Sequence, residues 1–460
     1  MTIDARPAHG KTLMVAVSMA LFCVQIDYFA MNLALPRMAS DFDSTATDLQ
    51  WIISIYMVTL GALMVPAGRL ADIFGRKRVL LIGITLFGLA SVLCAIAASV
   101  ATLVAFRALQ GVGAALIFPA SVSVITNAFP PAQSGRMIGL AYGIAGLGNA
   151  AGPLIGGLLT QTVGWRWIFA LNIPLTAACV LIGAFAISES RDTEAPRRID
   201  VAGLALLTAG IGVFTLTFDR ASAWGWWSLA TAGALTGAIA LLALFVVVER
   251  RVRWPLVDLS LARNMRFTVL VAAGSIANVA YGVTIFLSTV YLQDARGLDP
   301  LAAGLVFLGP SAGAAAGGVL SGRLAAGHPV RVMGVATILA AASLGLLAAA
   351  RDWALYVPTL TACGFTLGLV YAFTTVATQA VVSPQRAGEA AGIALTVMIA
   401  MGGVGVAVAS TMLERLRSTG MSTAGGIDVI FAILAAALLP AGLLVVAVAS
   451  RTADPASERC

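Results

Sequence analysis

The chain has 460 residues, 60% of them hydrophobic, with a mean hydropathy of +0.95 and a formal net charge of +7. That apolar share lies well above the roughly 45 to 50% of a soluble domain. The apolar residues also recur in runs of about 20, the length that crosses about 30 Å of hydrocarbon, which excludes a soluble multidomain protein. The positive charge does not point to nucleic acid, because the bases lie in short loops between apolar runs.

Taken in chain order, residues 1–11 form a short tail. The first apolar run, 12–35, is too long for the apolar segment of a signal peptide and lacks a small-residue cleavage site, so it reads as a retained span. Further runs follow at 50–70, 79–98, 101–124, 137–160, 167–187, 201–218, 228–248, 267–292, 301–325, 332–350, 354–379, 389–411 and 427–449, with a tail at 450–460. Fourteen spans put both termini on one side. With the N-terminus in the cytoplasm, 20 Lys and Arg fall inside, 7 outside and one, Arg107, within a span, as the positive-inside rule requires. Seven of the eight tryptophans (51, 165, 167, 224, 226, 227 and 353) fall at the outer ends, where an amphipathic ring meets the headgroups. The expected fold is thus an all-α membrane protein of 14 transmembrane helices in a cell membrane.

Two sequence pairs recur at nearly one offset. Gly68, Arg69, Leu70 and Ala71 return as Gly322, Arg323, Leu324 and Ala325; Pro131, Gly135 and Gly139 return as Pro384, Gly388 and Gly392. Each pair alone could be chance, but together they point to duplication. The spans then divide into an N-terminal six-helix bundle (12–187), a linker with an extra helix pair (188–266, pair at 201–218 and 228–248) and a C-terminal six-helix bundle (267–449). Parallel halves of this kind carry a substrate site at their interface near the bilayer midplane. The linker stretch "ERRVRWPLVDLSLARN" alternates bases with Trp254, Leu256, Val257 and Leu259, so it reads either as a segment on the anionic inner leaflet or as a solvated linker.

Within these boundaries only Asp27 and Arg107 lie well inside spans, about 13 Å and about 9 Å from the outer ends at 1.5 Å per residue. Charge at such depth is costly and by default functional, and the matched depths make the two a pair. A buried carboxylate beside a base can exchange its proton when the pair opens, because burial and the neighbouring cation pull its proton affinity in opposite directions. The competing reading is a static ion pair that fixes helix packing. Gln25, Tyr28 and Asn32 share a stripe at spacings of three and four, read as cavity-lining, with Asp27 turned about 100° away from Tyr28. Asn278 and Tyr281 share a face in the second half; a binding surface and interhelical hydrogen bonds are both open for them. As the only acid deep in a span, Asp27 leaves the cavity without the further carboxylates a dication would call for. In the fifth span Gly148, Gly152 and Gly156 recur every four residues beside Pro153 and Gly157, a spacing that lets two helices approach closely.

The residues that carry a family likeness are specific. "GRLADIFGRKRVL", "RALQGVGAA", "GNAAGPLIGG" and "WRWIFALNIP", together with Asp27, Asn32, Ala34, Leu35 and Pro36, resemble the major facilitator superfamily and, within it, the fourteen-span drug:proton antiporters, over about residues 12–450. Phe29 stands where the pattern usually has Thr, and Ile73 where Arg is common. The resemblance implies that Gly68, Asp72, Gly75, Arg76, Lys77 and Arg78 form a charge latch at a cytoplasmic gate. It also implies that Gly148 to Gly157 is the antiporter motif, and an antiporter would use the proton-coupling role read above for Asp27 and Arg107. The competing reading is a purely topogenic cluster. The second copy, "GRLAAGHPVR", lacks the Asp and the basic cluster, so any latch is one-sided.

The function this implies is secondary active export of small hydrophobic or amphiphilic compounds in exchange for protons, by alternating access. An importer, or a carrier of one dedicated metabolite, on the same fold is the alternative. No HExxH or phosphate loop GxxxxGK[ST] occurs, the two histidines (His9 and His328) lie outside the spans, and the five cysteines show no CxxC spacing, so an enzyme, a primary pump, a metal and a cofactor are not expected. The expected partners are a small-molecule substrate, protons and the bilayer. Oligomeric state stays open, a monomer being compatible with the two-half plan.

Overall fold

The computed structural model describes residues 7–44, 46–191, 200–252, 260–324, 328–382 and 387–450. Among them fourteen helices are long and apolar enough to cross a membrane. The first bundle holds α1 (Pro7–Phe42), α2 (Ala46–Phe74), α3 (Arg76–Ala95), α4 (Val100–Ala128), α5 (Pro131–Thr162) and α6 (Arg166–Ala186). The extra pair is α7 (Val201–Trp224) and α8 (Leu229–Glu249), followed by the short α9 (Ser260–Arg263). The second bundle holds α10 (Met265–Val290), α11 (Pro300–Leu324), α12 (Pro329–Ala349), α13 (Trp353–Ala380), α14 (Ala387–Ser418) and α15 (Thr423–Ser450).

The halves repeat one packing plan. In the first, α1 packs on α5 and α6, α2 on α4, and α3 on α4 and α6; in the second, α10 packs on α14 and α15, α11 on α13, and α12 on α13 and α15. Across the seam α5 meets α11 and α2 meets α14. Small residues bring the first pair of backbones together: a Cβ built on Gly318 would stand 2.8 Å from the Gly143 Cα, and one on Gly143 3.1 Å from the Ala315 carbonyl. These contacts lie in the half of each helix nearer the Gly68–Arg78 segment, here termed the basic end, and opposite it is the tryptophan end. Helix α7 lies along α2 and α14, with Leu207, Ile211 and Phe245 of the extra pair packed on Ala62, Val65 and Ile393.

Several helices run past the spans expected from hydropathy, because the i to i−4 hydrogen bonds continue beyond the lipid-crossing run. Two cases matter. Residues 68–74 are the last turns of α2 and not a loop, with Gly75 alone separating α2 from α3 at φ 112°, a left-handed value that favours glycine. Helix α7 continues six residues past 218, which puts Asp219 and Arg220 inside it. A π-helical turn (Tyr291–Ala295) extends α10. Trp254, Ala325 and Pro384, on which the leaflet reading of the linker and part of the repeat fall, lie outside the described residues, as does the side chain of Asn32.

Tryptophans do more than mark the headgroup level. Trp165 is buried and donates to Asp41 Oδ2 (2.9 Å), Trp226 donates to Thr411 Oγ1 (2.8 Å), and Trp51 lies under Arg220. Trp227, at 91% exposure, keeps the interfacial placement.

Candidate functional site

Asp27 and Arg107 meet inside the first bundle, both side chains fully buried, with Arg107 Nη1 donating to Asp27 Oδ2 at 2.5 Å. Neither is left to the other alone. Asp27 Oδ1 also accepts from Gln110 Nε2 (3.0 Å) and Asn172 Nδ2 (2.8 Å). Arg107 donates further to Gln110 Oε1 (2.6 Å) and to the Ile52 carbonyl (3.1 Å). Gln110 donates to Ser91 Oγ (2.8 Å), which itself donates to the Phe87 carbonyl (2.8 Å). The Arg107 guanidinium lies 4.2 Å from the centre of the Tyr56 ring. Helices α1, α2, α3, α4 and α6 thus converge on one carboxylate, the arrangement a charge needs when water is absent.

The pair stands behind a wall. Between the halves lies a cavity of about 510 Å³, within the usual range of small-molecule sites. Gln25, Tyr28 and Tyr56 line it, whereas Asp27 and Arg107 do not. Tyr28 and Tyr56 stack with ring centres 6.2 Å apart, so one aromatic layer separates the ion pair from the cavity. Gln25 donates to Asn149 Oδ1 (2.7 Å), and Asn149 donates to the Tyr281 hydroxyl (3.4 Å), a bridge from the first half to the second. Asn278 lines the cavity but spends its amide on the Met398 carbonyl (2.7 Å), tying α10 to α14.

The glycines of α5 face the helix that carries Asp27. A Cβ on Gly148 would meet the Phe22 carbonyl at 2.9 Å, one on Gly152 the Phe29 Cβ at 2.6 Å, and one on Gly156 the Ala30 carbonyl at 2.5 Å. Pro153 and Gly157 are only half-buried. The close approach sets α1 in position, and Asn149, between the glycines, reaches the cavity.

At the basic end Gly68 is buried, and Asp72 Oδ1 accepts from Arg76 Nε (3.0 Å) and Nη2 (2.9 Å), both residues being buried. Lys77 and Arg78 turn to another partner: their backbone N–H groups donate to the two carboxylate oxygens of Glu189 (3.1 Å each), and Lys77 Nζ donates to the Ala184 carbonyl (2.7 Å). Glu189 therefore caps α3, whose positive dipole end favours an anion, and Gly75 leaves room for it. These bonds all stay within the first half and its exit to the linker.

One expectation is overturned. The cavity is not without a further carboxylate, because Asp219, near the end of α7, lines it. Ser54 Oγ donates to Asp219 Oδ1 (2.7 Å), and Arg220 Nε stands 3.5 Å from Oδ2. With these partners the helix tolerates charge where hydropathy would end it. Gln110, Asn172, Ser91, Tyr56 and Asn149 were likewise not singled out as site residues from the sequence. Gln110 lies three residues after Arg107, on the same helical face, and that spacing was the available signal.

Residues 17–406 match the Major Facilitator Superfamily profile. The tetracenomycin C resistance and export protein of Streptomyces glaucescens is 32% identical over 411 residues, covering 87% of this chain and 75% of that protein. The multidrug resistance protein Stp of Mycobacterium tuberculosis is 33% identical over 413 residues (88% and 76%), and the methylenomycin A resistance protein of Bacillus subtilis 30% over 465 (99% and 98%). Among solved structures, the human organic anion transporter MFSD10 (TETRAN) superposes with a TM-score of 0.68 at 12% identity, covering 96% of this chain and all of that one, a likeness of fold. Paired six-helix bundles, a cavity at their seam and this match over most of the chain lead to one conclusion: the chain belongs to the Major Facilitator Superfamily and is a membrane transporter.

Proposed function

We propose that the chain exports small hydrophobic or amphiphilic compounds of the drug and antibiotic class in exchange for protons, by alternating access of its two halves. The relatives named for resistance and export support the substrate class and direction. The observation that carries the coupling is the Asp27–Arg107 pair, fully buried and one aromatic layer from the cavity. A proton arriving on Asp27 would remove the charge that holds Arg107, and would oblige the network of Gln110, Asn172 and Ser91 to rearrange. In this reading the basic end is cytoplasmic, as are both termini, and the cell membrane supplies the proton gradient as the energy source without a cofactor.

Closure at the basic end by α5 on α11, with the cavity on the tryptophan side, then corresponds to an outward-facing state. The Asp72–Arg76 pair and the Glu189 cap brace that closed end.

The test uses proteoliposomes with an internal pH dye and an imposed inward acid gradient. Wild type is expected to move protons when a hydrophobic drug is added, and Asp27→Asn to lose that movement. Equal proton movement in both proteins would make Asp27 structural. Uptake rather than export in oriented vesicles would replace the export reading by an import one.

A further inference from the structure

Among the described residues lining the cavity, one carries a charge: Asp219. It comes from neither six-helix bundle but from α7 of the extra pair, and lines the same cavity as Tyr28 and Tyr56 of α1 and α2. Its Oδ1 is held by Ser54, which fixes the carboxylate on α2. Its Oδ2 accepts no hydrogen bond, the nearest base being Arg220 at 3.5 Å. The Arg220 guanidinium lies over Trp51, 3.6 Å from the ring centre, and neither Arg220 nor Trp51 lines the cavity. The cavity therefore meets the anion of the pair and not the cation. Five of the seven tyrosines of the chain also line it (residues 28, 56, 142, 281 and 371), offering ring faces and hydroxyls.

A single negative charge among aromatic faces, in a cleft between apolar walls, selects for one kind of guest. Coulomb attraction acts at a lower effective dielectric there than in solution, and ring faces attract the same sign of charge. We infer that Asp219 is the recognition carboxylate of a site for planar aromatic monocations, and that the extra helix pair thereby supplies part of the substrate site. The inference rests on the export reading for its biological sense, yet the binding it describes needs no transport. Arg220 limits the site to a single positive charge, because it already offsets part of the carboxylate.

Ethidium, a planar permanent cation, and dihydroethidium, its uncharged reduced form, share one skeleton and make the test. Both are titrated by fluorescence, without oxygen, against the full chain in nanodiscs. Wild type is expected to bind ethidium about tenfold more tightly than dihydroethidium, and Asp219→Asn to lose about that factor for ethidium alone. Asp219→Glu should restore most of the preference, and unaltered dihydroethidium binding reports that the cavity is intact. A wild type without preference, an Asp219→Asn protein with unchanged ethidium affinity, or an equal loss of both probes would each overturn the site. Proton-coupled transport that persists in such a case leaves the export reading standing, and ethidium binding without proton movement would refute antiport alone.

Discussion

The two halves share a packing plan and differ in what they bury. A shift of 253 residues carries Gln25 onto Asn278, and each lies against a glycine of its partner helix, Gly148 or Gly402. The same shift carries Asp27, Arg107, Gln110 and Ser91 onto Ala280, Leu360, Cys363 and Leu344, all buried in the apolar core of the second half. The helices thus pack in this arrangement with or without charge at their centre. Since an apolar core serves the second half, the ion pair of the first is not required by the fold; desolvating two charges recovers its cost only through good geometry and full hydrogen bonding. The difference assigns chemistry to the first half and a passive wall to the second.

The sharpest way to break this comparison is to write the second half into the first. Arg107→Leu alone strands the Asp27 carboxylate in a dry core and should destabilise the bundle by about 3–5 kcal/mol. The double variant Asp27→Ala with Arg107→Leu copies Ala280 and Leu360 and should recover most of that loss, read as the thermal midpoint from tryptophan fluorescence. Proton-coupled transport should be absent from the double variant. A double variant as unstable as the single one would show that the first core is shaped for charge, and a double variant that still couples would remove Asp27 from the mechanism.

A second difference lies on the helix seams. Cβ atoms built on Gly152 and Gly156 would meet the Ala30 backbone of α1, at 3.1 and 2.5 Å, whereas one on Gly405 of α14 would meet only the Val279 side chain of α10, so α5 lies closer to α1 than α14 to α10. Gly156→Ser would drive a side chain against the Ala30 carbonyl, 2.5 Å from the position of its Cβ. Overpacking of this kind costs about 1–3 kcal/mol. A thermal midpoint equal to that of wild type would mean that the seam has slack.

What could be read from the residues follows the same divide. Hydropathy and the placement of bases mark lipid-crossing runs, so the fourteen spans and the two halves were legible. Asp27 and Arg107 were legible as a pair because charge in lipid is rare enough to be matched by depth. Their neutral partners were not, since Asn172 and Ser91 resemble any polar residue in a span until the fold brings them to one oxygen. Asp219 was missed for a physical reason: hydropathy stops at the first charge, whereas a helix stops where its backbone bonds do. Glu189 was out of reach because it caps a helix more than a hundred residues earlier in the chain.

The basic end offers a smaller test. The copy of Gly68–Leu70 at Gly322–Leu324 lacks the acid and the basic cluster, so the second half carries no counterpart of the brace in its sequence. Glu189→Ala removes the acceptor for the N–H groups of Lys77 and Arg78 and should cost about 1 kcal/mol, as loss of a helix cap does. Hydrogen exchange at the start of α3 is the measurement, and protection unchanged there would mean that water replaces the carboxylate at no cost.

The smallest expected effect bears on how the halves communicate. The Asn149–Tyr281 contact joins α5 to α10, and at 3.4 Å it lies at the weak end of the range for hydrogen bonds. Tyr281→Phe should remove about 0.5 kcal/mol from the closed arrangement, which changes the ratio of the two access states about twofold. Spin labels on the two halves at the tryptophan end would read that ratio as a distance distribution. A shift in the distribution with Tyr281→Phe, absent from Asn278→Ala, would place the link between the halves at the Gln25–Asn149–Tyr281 chain. The Asn278 amide is bound to Met398 within the second half, so its loss should leave the balance between the halves unchanged. Equal shifts in the two variants would instead mean that the second half, so far a passive wall, takes part in setting the state of the transporter.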